Sequence, residues 1–300
     1  GVAFSLFSAI RFFSLIKIQQ NILLRLIMKV LVTGSSGYIG ARLIQVLAEK
    51  GHHVFAVARV PETLFIPEKI KSQVTLIKGD LTQPIQFPEE IDAAYYLIHS
   101  MSNKEEDFEK RDKRAAEHFV DAINKTNCKQ IVYLTGLICS ENLSKHLRSR
   151  LEVERILESS NSATTVLRAG IIIGSGSASF EIIRDLTEKL PIMIAPKWIL
   201  NCCQPISIRD VMFYLSEVLS HQECIGKTFD IGGPDILTYK EMLLGYAKCR
   251  KLHRFIGTVP FFSPKLSSYW LFFITSTNFY LAKSLVDSMQ VNAVCTEYEI

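Results

Sequence analysis

The feature that most constrains this chain of 300 residues is a glycine-rich turn between a short apolar segment and a helical one. Gly34, Gly37 and Gly40 follow the strand-like segment Lys29–Thr33, and a helical pattern begins at Tyr38. The first glycine permits a tight turn, the second leaves backbone N–H groups open to a ligand, and the third lets the helix lie close to a sheet. The spacing therefore predicts a strand, turn and helix whose amides bind a pyrophosphate. The predicted contacts are Gly34, Ser35, Ser36, Gly37, Tyr38, Ile39 and Gly40.

From residue 28 to about 170, short apolar runs alternate with longer helical patterns. This alternation is typical of parallel strands that are buried on both faces between crossover helices. The sequence therefore predicts an α/β fold with a doubly wound parallel sheet, the Rossmann arrangement, and a small C-terminal substrate lobe. The predicted strands are Lys29–Thr33, His53–Ala58, Val74–Lys78, Ala93–Ile98, Gln130–Leu134 and Thr164–Arg168, and the predicted helices are Tyr38–Lys50, Phe108–Asn127 and His146–Ser159.

The regular alternation stops after residue 170. We predict a dinucleotide-binding domain over 28–170 and a smaller substrate lobe, interleaved with it, over 171–257. A crevice between the two parts is the expected substrate site. A helix over Ala178–Lys189 precedes the other pieces predicted for this lobe, which are the strands Gln204–Ile208 and Thr228–Ile231 and the helices Val211–Ser220 and Tyr239–Cys249.

Two apolar end segments fall outside these domains. Residues 1–27 contain Arg11, Lys17 and Arg25 but no acidic residue, which is typical of an organelle leader or an interfacial helix. We favour read-through ahead of a start at Met28, where a strand begins at once. The segment 258–300 is rich in aromatic residues but is interrupted by prolines, so we expect burial, an exposed patch for a membrane or a protein complex, or a docking surface for a further domain.

Composition excludes several classes of function. The net charge is only +4, and acidic and basic residues are interspersed, so nucleic-acid binding is not indicated. The seven cysteines are odd in number and include no Cys-x-x-Cys pair, which favours reduced thiols over disulfides or a metal site. We therefore expect a globular, cytoplasmic protein without a metal, with peripheral membrane association as the alternative.

The ends of the second, third and fourth strands favour a particular dinucleotide. Arg59 follows the second strand, where NAD-specific sites place a carboxylate on the ribose 2′-hydroxyl. A guanidinium there suits a 2′-phosphate, so we expect NADP(H), with NAD(H) as the alternative. Asp80, followed by Leu81, is expected to contact adenine or to cap the next turn. His99 and Ser100 are expected to border the nicotinamide because they follow the fourth strand.

With these motifs placed, the chain resembles the short-chain dehydrogenase/reductase superfamily over residues 28–289. The similarity is to its atypical branch, which is related to the complex I accessory subunit and to NmrA-like NAD(P)-binding proteins. The motifs that carry it are Val32–Gly40, Gly79–Asp80, Val132–Gly136, Leu167–Gly170 and Phe229–Pro234.

The resemblance implies a catalytic Tyr-x-x-x-Lys on the helix after the fifth strand, but here His146 and Arg150 occupy those two places. Thr135 occupies the place of the substrate-orienting serine. Two hypotheses follow. The chain is an NADP(H)-dependent oxidoreductase or isomerase for an apolar small molecule, quinone- or isoprenoid-like, with crevice walls from 171–173, Phe180 and 192–194. Alternatively, it is a non-catalytic dinucleotide-binding regulatory or assembly protein.

Overall fold

The computed structural model describes residues 27–99, 108–138, 144–259 and 286–296. Its strands, numbered along the chain, are β1 Lys29–Val32, β2 His53–Ala58, β3 Val74–Lys78, β4 Ala93–Tyr96, β5 Gln130–Gly136, β6 Ala163–Ala169, β7 Ile172–Ile173, β8 Ile192–Pro196, β9 Cys202–Cys203, β10 Ile206–Ser207, β11 Thr228–Ile231, β12 Leu237–Thr238 and β13 Phe255–Val259. The α-helices are α1 Tyr38–Glu49, α2 Phe108–Ile123, α3 Lys145–Glu158, α4 Ala178–Lys189, α5 Ile208–Glu217 and α6 Tyr239–Cys249. Short 3-10 helices cover Pro61–Thr63, Glu68–Gln73, Lys197–Leu200 and Gln222–Cys224.

Seven parallel strands form the central sheet, in the order β3-β2-β1-β4-β5-β6-β11. The order runs outward in both directions from β1, and every connection crosses over through a helix or a longer segment. This is the doubly wound arrangement, so the predicted fold class is confirmed.

Both faces of the sheet are covered, which explains the uninterrupted apolar sequence of β1. Val30 and Val32 pack with α1 and α5 on one face. Leu31 points to the other face and packs with α2 and α3. A strand buried on both sides needs apolar residues at consecutive positions rather than at alternate ones.

Two pieces that the sequence assigned to the smaller lobe belong instead to the dinucleotide-binding layer. β11 pairs in parallel with β6, from Thr228 opposite Val166 to Ile231 opposite Ala169. Helix α5 packs on α1 through Val211. The sequence did not distinguish the two layers, because the apolar patterns of β11 and α5 fit either one. Their layer is decided only by contacts with residues far away in the sequence.

The smaller lobe has its own apolar core between α4, α6 and the β8–β13 pair. Two pairs of two-residue strands, β7–β10 and β9–β12, complete it. Residues 286–296 return to the main body: Ala293 N donates to Cys202 O at 2.8 Å, and Thr296 N donates to Asp230 Oδ2 at 2.9 Å. In the described ranges, no helix is both long and apolar enough to cross a membrane. Most of the two predicted end segments, 1–27 and 258–300, lies outside the described residues.

Candidate dinucleotide site and the crevice beside it

The glycine turn after β1 has no room for larger residues at two of its three glycines. Gly34 has a φ of +67°, in the left-handed region that L residues rarely adopt, and a Cβ there would lie 2.6 Å from Leu97 O. A Cβ on Gly40 would lie 2.3 Å from Gly34 O. Gly37 N donates to Gly34 O at 2.9 Å, which closes the turn. Helix α1 thus starts directly against the backbone of the turn, and the turn itself lies against Leu97, directly after β4.

The N-terminus of α1 differs from those of the other helices whose starts are described with a cap. Hydroxyl side chains of Ser144, Ser177, Ser207 and Thr238 accept N–H groups at the starts of α3, α4, α5 and α6. At α1 the cap is Gly37, no side chain accepts an N–H, and the first turn holds no acidic residue. Its amides and the positive end of its dipole are therefore available to an anion, so the site fits the pyrophosphate of a dinucleotide.

The polar side chains of the turn divide between structure and surface. Ser35 is fully buried, and its hydroxyl donates to Val32 O at 2.8 Å, so its proton shapes the turn rather than reaching a phosphate. Ser36 is exposed.

Tyr38 lies against the loop that begins α4, where a Cβ on Gly174 would be 2.4 Å from its hydroxyl. Arg42 stacks over the Tyr38 ring at 4.0 Å, and its guanidinium donates to Ser175 O. The half-buried Ile39 packs on the core of the sheet.

The region after β2 and β3 brings opposite charges together. Arg59 is exposed directly after β2. Asp80 Oδ1 accepts from Thr82 N at 2.9 Å and from Thr82 Oγ1 at 2.8 Å. The backbone hydrogen bond from Thr82 is the largest cause that lowers the pKa of Asp80, and the charges of Arg59 and Arg111 act in the same direction. Asp80 thus caps its own turn, which was one of the two roles predicted for it.

Of the next predicted contacts, Leu81 faces the core, whereas His99 faces solvent. Leu81 is buried in the core between the sheet and α2, and its carbonyl lies 2.9 Å from His118 Nδ1. Its side chain therefore faces the core rather than the cofactor. His99 is exposed at the end of β4, as expected for a residue bordering the crevice. Ser100 lies outside the described residues.

The three predicted catalytic residues gather where β5 ends against α3. Thr135 is 3% exposed, and its hydroxyl makes no hydrogen bond of standard geometry in the described ranges, although it lies close enough to the Tyr133 hydroxyl to lower the pKa of Tyr133. Arg150 Nε donates to His146 Nε2 at 3.0 Å. The hydroxyl of Tyr133 donates to Arg150 O at 3.3 Å. Burial raises the pKa of Tyr133, against the opposing effects of the neighbouring Arg150 and Thr135. Tyr133 therefore links the strand residue to the helix residues.

Burial is the main cause that lowers the pKa of His146, and the Arg150 charge lowers it further, to about 2. The imidazole is therefore neutral near pH 7, with its lone pair on Nε2 turned toward Arg150. A neutral imidazole is a weak proton donor, so the pair suits holding a polar atom by the Arg150 charge better than it suits acid catalysis.

Sequence reasoning missed a third residue on this face of α3. Glu154 Oε1 lies 2.6 Å from Arg168 NH2, and the carboxylate is 4% exposed. Burial raises the pKa of Glu154, while Arg168 opposes this. Arg168 lies opposite Thr135 in the β5–β6 register. The spacing of His146, Arg150 and Glu154, each four residues apart, could have identified a stripe on one helix face.

The expected apolar walls are only partly placed beside the strand ends. Residues 171–173 and Phe180 are half-buried. Met193 lies in the core of the smaller lobe, whereas Ile192 and Ile194 are on the exposed face of β8. No group of three or more His, Cys, Asp or Glu side chains that could hold a metal occurs in the parts of the chain described above.

Comparison with known proteins agrees with this geometry. A family model described as NAD(P)H-binding matches residues 34–189, more than half of the chain. The chain belongs to this NAD(P)H-binding family. The match covers the glycine turn, Arg59 and α3, and the assignment to atypical short-chain dehydrogenases/reductases is confirmed.

Curated relatives of this NAD(P)H-binding chain include plant reductases. The divinyl chlorophyllide a 8-vinyl-reductase of Zea mays is 24% identical over 222 residues, which cover 68% of the chain and 55% of the relative. The Arabidopsis thaliana enzyme of the same name is 26% identical over 226 residues, covering 68% of the chain and 53% of the relative. The chain thus spans about half the length of the curated relatives it matches.

Solved structures share the fold. A nucleoside-diphosphate-sugar epimerase from Staphylococcus aureus superposes with a TM-score of 0.67 at 16% identity, covering 88% of this chain and 90% of the epimerase. A UDP-glucuronic acid 4-epimerase from Bacillus cereus, in complex with UDP-glucuronic acid and NAD, gives 0.61 at 15% identity and covers 88% and 99%. At these identities the likeness concerns the fold.

Proposed function

We propose that the chain is an NADP(H)-dependent oxidoreductase or isomerase that acts on an apolar small molecule, quinone- or isoprenoid-like, at the carboxyl ends of the central strands. The observation that carries this is the uncapped start of α1 against a glycine turn that excludes a Cβ. When bound, the nicotinamide supplies or accepts a hydride. The reductase names of the plant relatives support a redox role.

The residues beside the turn support separate tasks. The α1 amides would hold the pyrophosphate, and His99 would border the nicotinamide. Thr135 has a buried hydroxyl that makes no hydrogen bond of standard geometry in the described ranges, which supports a hydrogen bond to a substrate oxygen. Arg150 carries a permanent positive charge next to it, which would stabilise negative charge on that oxygen.

NADP(H) is the preferred cofactor because Arg59 is exposed at the end of β2 and its charge reaches Asp80. The test is a fluorescence titration of the purified chain with NADPH and NADH. We expect Arg59→Ala to weaken NADPH binding by about tenfold or more and to leave NADH binding within about twofold, since a guanidinium–phosphate contact contributes roughly 1.5–3 kcal/mol. The matched control is Arg155→Ala, because Arg155 is an exposed arginine near the C-terminal end of α3. Equal losses for both cofactors would contradict the preference.

A second candidate, a non-catalytic dinucleotide-binding regulatory or assembly protein, is favoured by one observation. His146 and Arg150 bond to each other where the superfamily has its Tyr and Lys, and the imidazole is neutral. Stopped-flow absorbance of bound NADPH against quinones and aldehydes separates the two candidates. Oxidation that slows when Thr135→Val is introduced supports the enzyme, whereas tight NADPH binding with no oxidation by any compound supports the second candidate.

A further inference from the structure

The β8–β13 pair of the smaller lobe has one buried face and one exposed apolar face. Its parallel register pairs Phe255 with Ile192 and Gly257 with Ile194, so these four residues share one side of the sheet. Ile192 is 69% exposed, Ile194 55% and Phe255 68%. On the opposite side Met193, Ala195 and Ile256 lie in the core of the lobe. We call the first side the exposed sheet face. Three large apolar side chains that share one exposed face mark an interaction surface rather than scattered surface residues.

Cationic side chains are frequent in the segments that contain and flank the exposed sheet face. Segments 188–197 and 248–258, which contain the two strands and their flanks, hold six cationic side chains and one carboxylate, that of Glu188. The cationic residues are Lys189, Lys197, Lys248, Arg250, Lys251 and Arg254. Among the described residues, Lys189 pairs with Asp185 and Arg250 pairs with Glu188, so the cations of these segments that have no carboxylate within salt-bridge distance are Lys197, Lys248, Lys251 and Arg254. Because the strands are parallel, Lys189 and Arg254 lie at one end of the face and Lys197 at the other.

We propose that the exposed sheet face docks on the surface of an anionic lipid bilayer. Ile192, Ile194 and Phe255 would enter the boundary between headgroups and acyl chains, while the exposed Lys197, Lys248 and Lys251 bind lipid phosphates. Apolar insertion together with charge attraction is the combination that holds peripheral proteins on anionic membranes. A protein partner fits less well, because the cores of protein interfaces are depleted of charge, whereas these strands are flanked by cations that have no carboxylate partner among the described residues.

The test is flotation of the full chain with vesicles. Vesicles of phosphatidylcholine alone are compared with vesicles in which one third of the lipid is phosphatidylglycerol, at 0.1 M and 0.5 M salt. We expect the chain to float with the anionic vesicles at low salt, to dissociate largely at high salt and to remain behind with phosphatidylcholine. Charge attraction to a membrane surface is screened over a distance of about 10 Å at 0.1 M salt, which explains the expected dissociation.

Two variants examine the two parts of the surface. The triple change Ile192→Ser, Ile194→Ser and Phe255→Ser should reduce binding to anionic vesicles by at least tenfold, and Lys248→Gln with Lys251→Gln should reduce it by about tenfold. Phe65→Ser is the matched control, because Phe65 is 81% exposed but lies between β2 and β3 of the central sheet, outside the smaller lobe. NADPH titration and thermal unfolding of each variant verify that the fold persists, which we expect because the changed side chains are exposed.

Three results would overturn the proposal: equal binding to both kinds of vesicle, flotation that the triple change leaves intact, or no flotation at all. A triple variant that alters the oligomeric state of the chain but not flotation would assign the face to protein association instead. None of these results depends on cofactor binding, so the proposed dinucleotide function is tested separately.

Discussion

At the scale of single residues, the hydrogen bond from Arg150 to His146 fixes the protonation of the imidazole. Since Arg150 Nε donates, His146 Nε2 must carry a lone pair, and the ring proton of the neutral form lies on Nδ1. Burial and the adjacent positive charge both disfavour a second proton. The role of His146 as a proton donor therefore stays a prediction, and the geometry favours a role in positioning Arg150.

This arrangement predicts a pH dependence of stability. The pKa of His146 is about 2 in the folded chain and about 6.5 in the unfolded chain. Between these values the unfolded state binds a proton that the folded state does not, so His146 lowers the stability as the pH drops below about 6.5, by at most about 1.4 kcal/mol per pH unit. His99, whose pKa desolvation lowers to about 3, adds to the same trend. Urea unfolding of the wild type and of His146→Gln between pH 6.5 and 5 should show a shallower slope for the variant. Parallel slopes would refute a depressed pKa.

The contact between Gly40 and Gly34 gives a second prediction. Gly40→Ala places a methyl group 2.3 Å from a backbone oxygen, so the start of α1 must move away from the turn. We expect the free energy of unfolding to fall by about 1–3 kcal/mol and NADPH affinity to fall with it.

The matched control for Gly40→Ala is Gly245→Ala in α6, where a Cβ meets nothing within 4 Å. Removing this exposed helical glycine should stabilise the chain by roughly 0.5–1 kcal/mol and leave NADPH binding unchanged. Urea unfolding and fluorescence titration measure both quantities. Equal tolerance of the two substitutions would show that the turn is looser than described.

At the scale of elements, the backbone N–H groups at a helix start are either capped by a side chain or left for a ligand. Four helices use a serine or threonine cap, and α6 adds Glu241, whose carboxylate accepts from Thr238 N to complete a capping box. Helix α1 instead begins at Gly37 and leaves its amides for a ligand. Among the helix starts described with a cap, the start of α1 is thus less stabilised locally, and a bound dinucleotide would supply the missing hydrogen-bond acceptors.

Gly37→Ser should replace ligand binding at the start of α1 with side-chain capping. The backbone there, with φ −76° and ψ 166°, is allowed for serine, and its Cβ would lie 3.1 Å from Gly34 O, which requires a small shift of the turn. The serine hydroxyl can cap α1 but would occupy the phosphate site. We expect the stability of the unliganded chain to change by less than about 0.5 kcal/mol and NADPH affinity to fall at least tenfold. In contrast, Thr238→Ala should cost about 1 kcal/mol without changing affinity. Unchanged NADPH affinity in Gly37→Ser would argue against phosphate binding at α1.

The elements with strong local signals were predicted closely, and those fixed by distant pairing were not. The predicted strand His53–Ala58 and helix Ala178–Lys189 have the observed bounds, because apolar runs and periodicity are read from neighbouring residues. The two-residue strand β7 was not predicted, since it exists only through its partner β10, which lies within the predicted strand Gln204–Ile208. The glycine turn was identified because its spacing is local, whereas the Glu154–Arg168 pair joins a helix to a strand and was missed.

At the scale of the whole molecule, one apolar core joins early and late parts of the chain. Val30 and Val32 share it with Val211 of α5 and with Phe229 and Ile231 of β11. The predicted boundary at residue 170 therefore separates two sequence patterns but does not divide this core.

A chain ending at Gly170 should consequently fail to fold cooperatively. It would lack β11 and would expose the face of the sheet and α1 that α5 covers. We expect a broad urea transition and dye binding to exposed apolar surface, whereas residues 28–300 should unfold in a single sharp transition. A truncated chain with a sharp transition and full NADPH affinity would show that residues 28–170 are an autonomous domain.

Because β11 lies far beyond β6 in the sequence, the ribosome makes it well after the strand with which it pairs. When β6 leaves the ribosome, one of its edges pairs with β5, but the strand that covers the other edge begins only at Thr228. Translation at about 5–20 residues per second leaves that edge open for several seconds while the smaller lobe is made. An open strand edge is a template for another chain. Slow codons between residues 170 and 228 should therefore increase aggregation of the newly made protein, and the same codons placed after Ile231 should not.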